Sequence, residues 1–483
     1  MNKRNFLKSV AALGGSALLP SSLNPLAMYK TASAAVDYSG ATVVAPSVMP
    51  QVINIFLYGG PSELSGNLTN MTGPDGIDAN SQNSYADAFG NNILTFDTTG
   101  DGTAGFITKN GFWRGTQRTP DQGNTHLDIN GAGGRAMQYM LDKGHMSVYR
   151  TLFKELDGTR SHRESLLQSF KGSLDIEGSP GVGTRVAAAL FQHRGLYENN
   201  TLLADGTGFS DIVNDLLLPF VSFEGDTRAY QQDPDFQVPL LMRGLTLDEN
   251  FRNPYSRGSL PSTDAEIEAL AAAMRTAEYD ARYSGTANSF DLREFLENKI
   301  SGIQAADDLP LPIIDPADPD AADDAASLGL VPGDAIVYPN NQYTSRVRAA
   351  VTLALVNPSS LYITVGGGLG GWDDHNNGID SYRNRMNALM EVMKAAMLHI
   401  KYADASKNAG AFTTLNSTTR STNNIVINMA GDFGRRVNLN GNQGWDHGNN
   451  QNLFTFGGAG VRQGGASALG KVVGSTVRVG ESG

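Results

Sequence analysis

Residues 361–377 read LYITVGGGLGGWDDHNN, a short apolar run followed by glycines and then by two acids and a histidine. Apolar runs of this length that end in glycine or polar residues are typical of buried strands. Further runs of the same kind occur at 52–58, 146–149, 425–429 and 453–456. The sequence therefore predicts several buried strands, one of which leads directly into a polar, glycine-rich loop.

Helical patterns lie between these strands, at residues 263–283, 345–356 and 380–402. The first opens with the capping box Thr263-x-x-Glu266, and the last repeats methionine and leucine at helical spacing, which predicts a helix face packed on a sheet. Strands separated by helices favour an α/β fold with a mainly parallel sheet sandwiched by helices. Ligands of such folds bind beyond the carboxyl ends of the strands, where the polar motifs of this chain occur.

The chain has 483 residues, of which 40% are hydrophobic and 18% charged, a composition typical of a globular protein. Its 37 Lys and Arg residues against 49 Asp and Glu give a net charge of −12, which disfavours nucleic acid or an anionic lipid surface as a partner. An anionic substrate would therefore need a local positive centre, such as a bound cation. Cysteine is absent, so the protein ligands of a metal must be His, Asp, Glu or a backbone oxygen.

Residues 1–34 are predicted to be an export signal peptide. A basic start precedes an apolar stretch at 10–19 that is too short to span a bilayer, and the small residues at 32–34 form a signal-peptidase site. The segment 2–8, NKRNFLK, resembles a twin-arginine (Tat) signal with Lys3 in place of the first arginine, so the ordinary secretory route and an amphipathic N-terminal helix remain alternatives. We expect an exported, periplasmic or extracellular protein that engages the Tat export machinery and has no stable membrane anchor.

The mature chain, residues 35–483, is predicted to be one domain with two irregular insertions. Residues 66–135 are rich in Gly, Asn, Asp and Thr without clear periodicity, and residues 305–335 are rich in Pro and Asp. The first segment is expected to form long loops or a small hairpin region, and the second a solvated linker or surface loop.

Two segments combine Asp and His just after predicted strands. In the extended stretch of 366–377, Asp373 and His375 would point to the same side, so that an oxygen and an imidazole nitrogen can converge on one cation. The second segment, 428–448, reads NMAGDFGRRVNLNGNQGWDHG. A single Asp-His pair is more typical of a polar loop, but two pairs at strand ends favour a metal site. Its candidate ligands are Asp373 and His375 in the first segment and Asp446 and His447 in the second.

Three further side chains are candidates for catalysis. Ser62 follows the first strand and could be a nucleophile activated by a neighbouring metal, or simply a turn residue. His162 opens a predicted helix, where it could bind a metal, donate to a substrate oxygen or be structural. Arg435, next to Arg436, could clamp a phosphate or sulfate in bidentate fashion or form a surface ion pair. The other histidines lack a nearby carboxylate motif and are predicted to be structural: His126, His145, His193 and His399.

The order of these motifs resembles an uncharacterised family of twin-arginine-exported proteins, domain of unknown function 1501. The matching segments are the signal, FLYGGPSEL (56–64), RSHRESLLQSFKG (160–172), GGWDDHNN (370–377), DFGRR (432–436) and WDHG (445–448). That family usually shows GGWDTH, EFGR and GTDHG and belongs to the alkaline phosphatase and sulfatase superfamily. The resemblance implies an alkaline phosphatase-like α/β core with a di-metal or metal-assisted hydrolytic site. It also implies that Asp373 and His375 bind one cation and that Asp432, Asp446 and His447 complete the cluster.

The chain departs from the superfamily pattern after the first strand, where a metal-binding Asp and a Ser or Thr nucleophile are usual. Residues 59–65 read GGPSELS and contain no Asp, so that Glu63 could replace the missing carboxylate or the site could be incomplete. Asp432 stands where the family has Glu, which shortens the reach by one methylene but keeps a hard oxygen ligand.

Residues and resemblance together predict an exported, metal-dependent hydrolase of phosphate- or sulfate-type esters. The divalent metal would be Zn, Mn or Ca, and the substrate an anionic small molecule or a glycan ester. One alternative is a catalytically degenerate member of the same superfamily that binds a periplasmic or surface glycan, or a protein, without turnover. Another is a structural role in an envelope assembly.

Overall fold

The computed structural model describes residues 50–62, 134–153, 160–187, 220–223, 228–231, 244–247, 311–357, 360–366, 369–403, 422–442, 444–448 and 450–473. The predicted signal peptide, nearly all of the irregular region 66–135, and the predicted helix 263–283 lie outside these residues. Among the helices that are described, none is long and apolar enough to cross a membrane.

Strands and helices alternate in part of the described chain, but the last five described strands follow one another without an α-helix between them. The strands are β1 Gln51–Leu57, β2 Met146–Phe153, β3 Phe220–Ser222, β4 Leu245–Thr246, β5 Tyr362–Val365, β6 Ile425–Gly431, β7 Gly434–Leu439, β8 Trp445–Gly448, β9 Asn450–Gly457 and β10 Val472–Val473. The helices are α1 Gly134–Asp142, α2 His162–Lys171, α3 Ala321–Leu328, α4 Thr344–Val356 and α5 Gly378–Tyr402.

Eight of these strands form one mixed sheet in the order β10-β2-β9-β6-β1-β5-β3-β4, in which β4 and β10 are only two residues long. Five of its seven neighbouring pairs are parallel, and β9 is antiparallel to both of its neighbours. The α/β class is therefore confirmed. The strands β6, β1 and β5 are parallel and adjacent, so their carboxyl ends lie side by side at one edge of the sheet.

Helices cover both faces of this sheet. On one face Ile53 and Ile55 of β1 belong to a core shared with α1, α4 and α5, and the predicted methionine face of α5 is buried in it. Full burial of such a side chain contributes about 1.5–3 kcal/mol. On the opposite face Phe56 packs against Phe170 of α2, with ring centroids 5.0 Å apart.

Residues 311–335 differ from the expected solvated linker. This segment contains α3, and its apolar residues pack against Leu398 and Tyr402 of α5. Asp324 of α3 is completely buried and accepts hydrogen bonds from the Tyr139 and Tyr402 hydroxyls at 2.5 and 2.6 Å and from Lys401 Nζ at 2.7 Å. One of the acids of this segment, Asp324, therefore forms an ion pair with Lys401 that attaches the segment to α5.

Two histidines predicted to be structural, His145 and His399, have pKa values lowered by burial, to about 4 and about 3. His399 is buried with Nδ1 3.0 Å from the Tyr338 hydroxyl. Because an unfolded histidine has a pKa near 6.5, the unfolded chain binds more protons than the folded chain between about pH 6 and pH 4. The folded state is therefore expected to lose stability as the pH falls through this range, by about 1.4 kcal/mol per pH unit for each such histidine.

The variant His399→Gln tests this expectation. Its free energy of unfolding, measured by urea titration at several pH values, should decline less steeply with acidification than that of the unmodified protein, by about 1.4 kcal/mol per pH unit. Equal slopes for the two proteins between pH 6 and pH 4 would contradict the buried, neutral state of His399.

Candidate metal centre at the carboxyl edge of the sheet

The polar motifs of the sequence meet where β1, β5 and β6 end. The loop after β5 holds Asp373 and His375, Asp432 follows β6 directly, and His447 lies on β8 of the β7–β8 hairpin. His162 reaches the same place as the first residue of α2, whose N-cap Ser161 accepts a hydrogen bond from the Glu164 backbone N–H. Residues from four separate parts of the chain thus form one cluster.

The centre of this cluster is Oδ1 of Asp373. It lies 3.1 Å from Nε2 of His375, 3.4 Å from Nε2 of His162 and 3.6 Å from Nε2 of His447. The Nε2 atoms of His375 and His447 are 2.9 Å apart, and ligand atoms of His162, Asp373 and His447 all lie within 4.8 Å of one another. The ligand atoms of a tetrahedral zinc site are about 3.4 Å apart, which is close to these separations.

Each of the three imidazoles has an oxygen behind its other nitrogen. Nδ1 of His162 is 2.5 Å from Asp432 Oδ2, Nδ1 of His447 is 2.8 Å from the Arg160 carbonyl oxygen, and Nδ1 of His375 is 3.6 Å from Asp446 Oδ1. A carbonyl or carboxylate oxygen only accepts, so the first two contacts place the proton on Nδ1 and leave the lone pair on Nε2. Metal-binding histidines in proteins are oriented in this way.

The electrostatics keep Asp373 ionised. Burial alone would raise its pKa, but the hydrogen bond and charge of Arg435 outweigh that effect and lower it. The hydrogen bond to Asp432 raises the pKa of His162, whereas burial, together with the Arg435 charge, lowers that of His447. The ionised form of Asp373 and the neutral form of His447 are therefore both favoured, which suits a cation.

Arg435 is completely buried beneath Asp373, and four of its five N–H groups donate to oxygen atoms. Nε donates to the Gly60 carbonyl at 2.8 Å and Nη1 to the Trp445 carbonyl at 2.9 Å, with Nη1 also 3.3 Å from His375 Nε2. Nη2 donates to the Gly59 carbonyl and to Asp373 Oδ1. The predicted clamp on a phosphate or sulfate does not fit these contacts, because the buried Arg435 donates four of its five N–H groups to oxygen atoms of the protein.

The other predicted residues lie around the cluster. Asp432 is buried behind His162, and its backbone carbonyl accepts a hydrogen bond from Ser165 Oγ at 2.9 Å. Asp446 is half exposed and lies behind His375. Ser62 is buried, and its hydroxyl has no hydrogen-bond partner within the described parts of the chain. Glu63 lies outside the described residues.

Sequence reasoning missed two contributors to the site. The Phe433 ring packs against His162 and His447, with centroids 4.6 and 4.5 Å apart, and so supports both imidazoles from below. Asp374, between the two candidate ligands of its loop, is buried and paired with Arg385 of α5. The only sequence signals are the position of Phe433 directly after Asp432 and the second acid of WDDH.

The turn after β1 fixes the position of Asp373. The Tyr58 carbonyl accepts a hydrogen bond from the Trp372 N–H at 2.9 Å, and Gly59 has φ +113°, a conformation that favours glycine. A Cβ atom at Gly59 would lie 2.4 Å from the Asp373 backbone nitrogen. Only glycine therefore allows the two backbones to approach this closely.

Gly59→Ala is expected to destabilise the protein more than Gly144→Ala. Gly144 also has a positive φ, +69°, but a Cβ atom there meets nothing within 4 Å, so its substitution costs only the backbone strain of about 1–2 kcal/mol. Overpacking against residues 372–373 should add roughly 1–3 kcal/mol at Gly59. Urea denaturation measures the free energy of unfolding of both variants. Equal losses would show that the close approach at Gly59 adds nothing to the cost of the substitution.

Comparison of the chain with models of protein families, with curated proteins and with solved structures finds no significant match. The class that fold and cluster define is therefore an α/β protein with a His/Asp cluster at the carboxyl edge of its sheet.

Proposed function

We propose that this protein is an exported, metal-dependent hydrolase of phosphate- or sulfate-type esters with an alkaline phosphatase-like fold. The observation that carries the proposal is the convergence of three imidazole Nε2 atoms on the Asp373 carboxylate, each with an oxygen behind Nδ1. The mainly parallel sheet, the position of the cluster at its carboxyl edge and the order of the sequence motifs support the fold assignment.

The residues present fit a divalent cation. His162, Asp373 and His447 would hold it, with His375 as a fourth donor, and Nε2 of His162 is a buried nitrogen without a hydrogen-bond partner within the described residues. Imidazole donors favour Zn over Mn and Ca, which prefer oxygen ligands. Asp432 and Asp446 orient imidazoles in this assignment and are not ligands, in contrast to the role that the resemblance implied.

One cation fits this arrangement better than two. The buried Arg435 guanidinium already neutralises Asp373 from the protein side, so that a second metal there would meet a fixed positive charge. The proposal therefore replaces the di-metal site that the resemblance allowed with a single metal per chain.

The open side of the cluster suits an ester substrate. Asp373 is 48% exposed, so that a substrate can reach the cation from solvent. When bound, a divalent cation at such a site polarises an ester oxygen and lowers the pKa of water. Asp373 supplies the anionic ligand, and the oxygens behind the Nδ1 atoms orient the imidazoles. Arg435 holds the backbone beneath Asp373 in place. The lack of a described partner for the buried Ser62 hydroxyl favours water over Ser62 as the nucleophile.

Binding without turnover is the second candidate function. Its support is that Arg435, the arginine in contact with Asp373, donates four of its five N–H groups to oxygen atoms of the protein. The partner would then be a periplasmic or surface glycan, or a protein, bound through the metal and the neighbouring loops.

A hydrolysis assay separates the two. Protein stripped with a chelator and reloaded with Zn²⁺ or Mn²⁺ should hydrolyse p-nitrophenyl phosphate or sulfate, and His447→Ala should not. The matched control is Asp323→Ala, an exposed acid remote from the cluster, which should retain full activity. Tight metal binding without turnover would favour the binding role, and the absence of metal binding would overturn both.

A further inference from the structure

Asn440 connects the two loops that carry the cluster. It follows β7, and its side-chain oxygen accepts hydrogen bonds from the backbone N–H groups of Asn442 at 2.9 Å and Gly444 at 3.1 Å. Its side-chain nitrogen donates to the His375 carbonyl at 3.0 Å and to Asp446 Oδ1 at 3.2 Å. One amide thus shapes the turn of the β7–β8 hairpin and reaches across to the loop after β5.

Backbone contacts between the two loops keep Asn440 close to His375. The Trp445 N–H donates to the Asp374 carbonyl at 2.7 Å, and the Asn377 N–H donates to the Asn442 carbonyl at 3.0 Å. A Cβ atom at Gly444 would lie 2.2 Å from the His375 carbonyl carbon. The backbones are therefore in close contact, and the Asn440 amide is the side chain that links them to His375.

The two acceptors of the Asn440 nitrogen both determine how His375 is held. The His375 carbonyl fixes the backbone from which the imidazole projects, and Asp446 Oδ1 lies 3.6 Å from Nδ1 of the same imidazole. A rotation of this ring would move Nε2 away from His447 and Asp373, which lie 2.9 and 3.1 Å from it. We infer that Asn440 is a positioning residue that holds His375 in the metal-binding orientation; the inference depends on the proposed metal centre.

Asn440→Asp tests this inference with little change of shape. The variant keeps an oxygen for the Asn442 and Gly444 N–H groups, but it turns a second acceptor toward the His375 carbonyl and Asp446. Zn²⁺ affinity, measured by competition with a chelator, should fall about tenfold to a hundredfold. An added negative charge alone would increase the affinity for a cation, so a decrease reports the loss of positioning.

Asn341→Asp is the matched control. Asn341 has the same pair of contacts away from the cluster: Nδ2 donates to the Ala388 carbonyl at 3.1 Å, and Oδ1 accepts from the Tyr343 N–H at 2.9 Å. Its substitution should leave Zn²⁺ affinity unchanged. The visible spectrum of the Co²⁺-loaded protein gives a second readout, since loss of an imidazole ligand alters it. N440D should shift this spectrum in the same direction as His375→Ala, and N341D should not.

Each outcome bears on one claim. Wild-type affinity and spectrum in N440D would overturn the positioning role and leave the metal centre intact, whereas failure of the unmodified protein to bind Zn²⁺ would overturn the proposed function itself. Should N440D not fold, Asp446→Ala removes the other end of the same link at a half-exposed position. It should reproduce the spectral shift, and an unshifted spectrum would contradict the inference.

Discussion

Replacement of His447 by alanine is expected to lower the affinity for Zn²⁺ by more than about a hundredfold. Loss of a residue that merely orients a ligand costs about tenfold to a hundredfold, and removal of the ligand itself costs more. His447 belongs to the group of three ligand atoms that lie within 4.8 Å of one another, and its Nδ1 is fixed by the Arg160 carbonyl. Isothermal titration of metal-free protein with Zn²⁺ measures the change directly.

His145→Gln provides the histidine control for this experiment. His145 is near Tyr139, with ring centroids 5.9 Å apart, and the neighbours that affect its pKa within the described parts of the chain are not residues of the cluster. Its substitution should leave the stoichiometry and affinity of Zn²⁺ binding unchanged. If H447A bound Zn²⁺ as tightly as H145Q, His447 would not be a ligand.

Arg435→Met is expected to reduce the free energy of unfolding by about 3–5 kcal/mol, because several carbonyl groups around the buried guanidinium lose their donor at roughly 1–3 kcal/mol each. Methionine fills a similar volume but cannot donate. The carbonyls of Gly59, Gly60 and Trp445 would lose their donor, and Asp373 would lose the charge that lowers its pKa. Urea denaturation of the metal-free protein measures the effect without interference from bound metal.

The neighbouring Arg436 supplies the matched control for this variant. It is exposed, and substitutions at exposed positions usually change stability by about 0.5 kcal/mol or less. R436M should therefore unfold close to the midpoint of the unmodified protein. Equal midpoints for R435M and R436M would show that the contacts of the buried Arg435 do not stabilise the protein.

The core of the fold could be predicted because its signal is local. Buried parallel strands need continuous apolar runs, and the runs at 52–58, 361–365 and 425–429 correspond to β1, β5 and β6. The methionine face of α5 could be predicted for the same reason, since its spacing is helical and its residues are buried.

Elements with mixed composition could not be predicted in this way. The strand β7 contains Arg435 and Arg436 next to each other, and no alternation of apolar and polar residues marks it as a strand. The helix α3 is short and rich in Ala and Asp, which are equally typical of a solvated segment. Its burial depends on partners far along the chain, such as Tyr402 paired with Asp324.

For the site, the sequence indicated which residues come together but not the role of each one. Asp and His at strand ends indicated which residues would gather, because parallel strands bring their carboxyl ends to one edge. The roles within the cluster depend on orientation, and sequence spacing does not determine it. Asp432 precedes Phe433 and follows β6, yet only the docking of α2 against it places the Asp432 carboxylate on Nδ1 of His162. Arg435 is likewise held beneath Asp373 because two carbonyls of the turn after β1 and the Trp445 carbonyl of β8 surround it.

An anomalous-scattering crystal structure of the Zn²⁺-loaded protein tests the central claim most directly. We predict one anomalous peak per chain at the carboxyl edge of the sheet, about 2.0–2.2 Å from Nε2 of His162, Nε2 of His447 and a carboxylate oxygen of Asp373. A peak elsewhere, or no peak at these three residues in a crystal soaked with excess Zn²⁺, would contradict the metal centre and the hydrolase built on it.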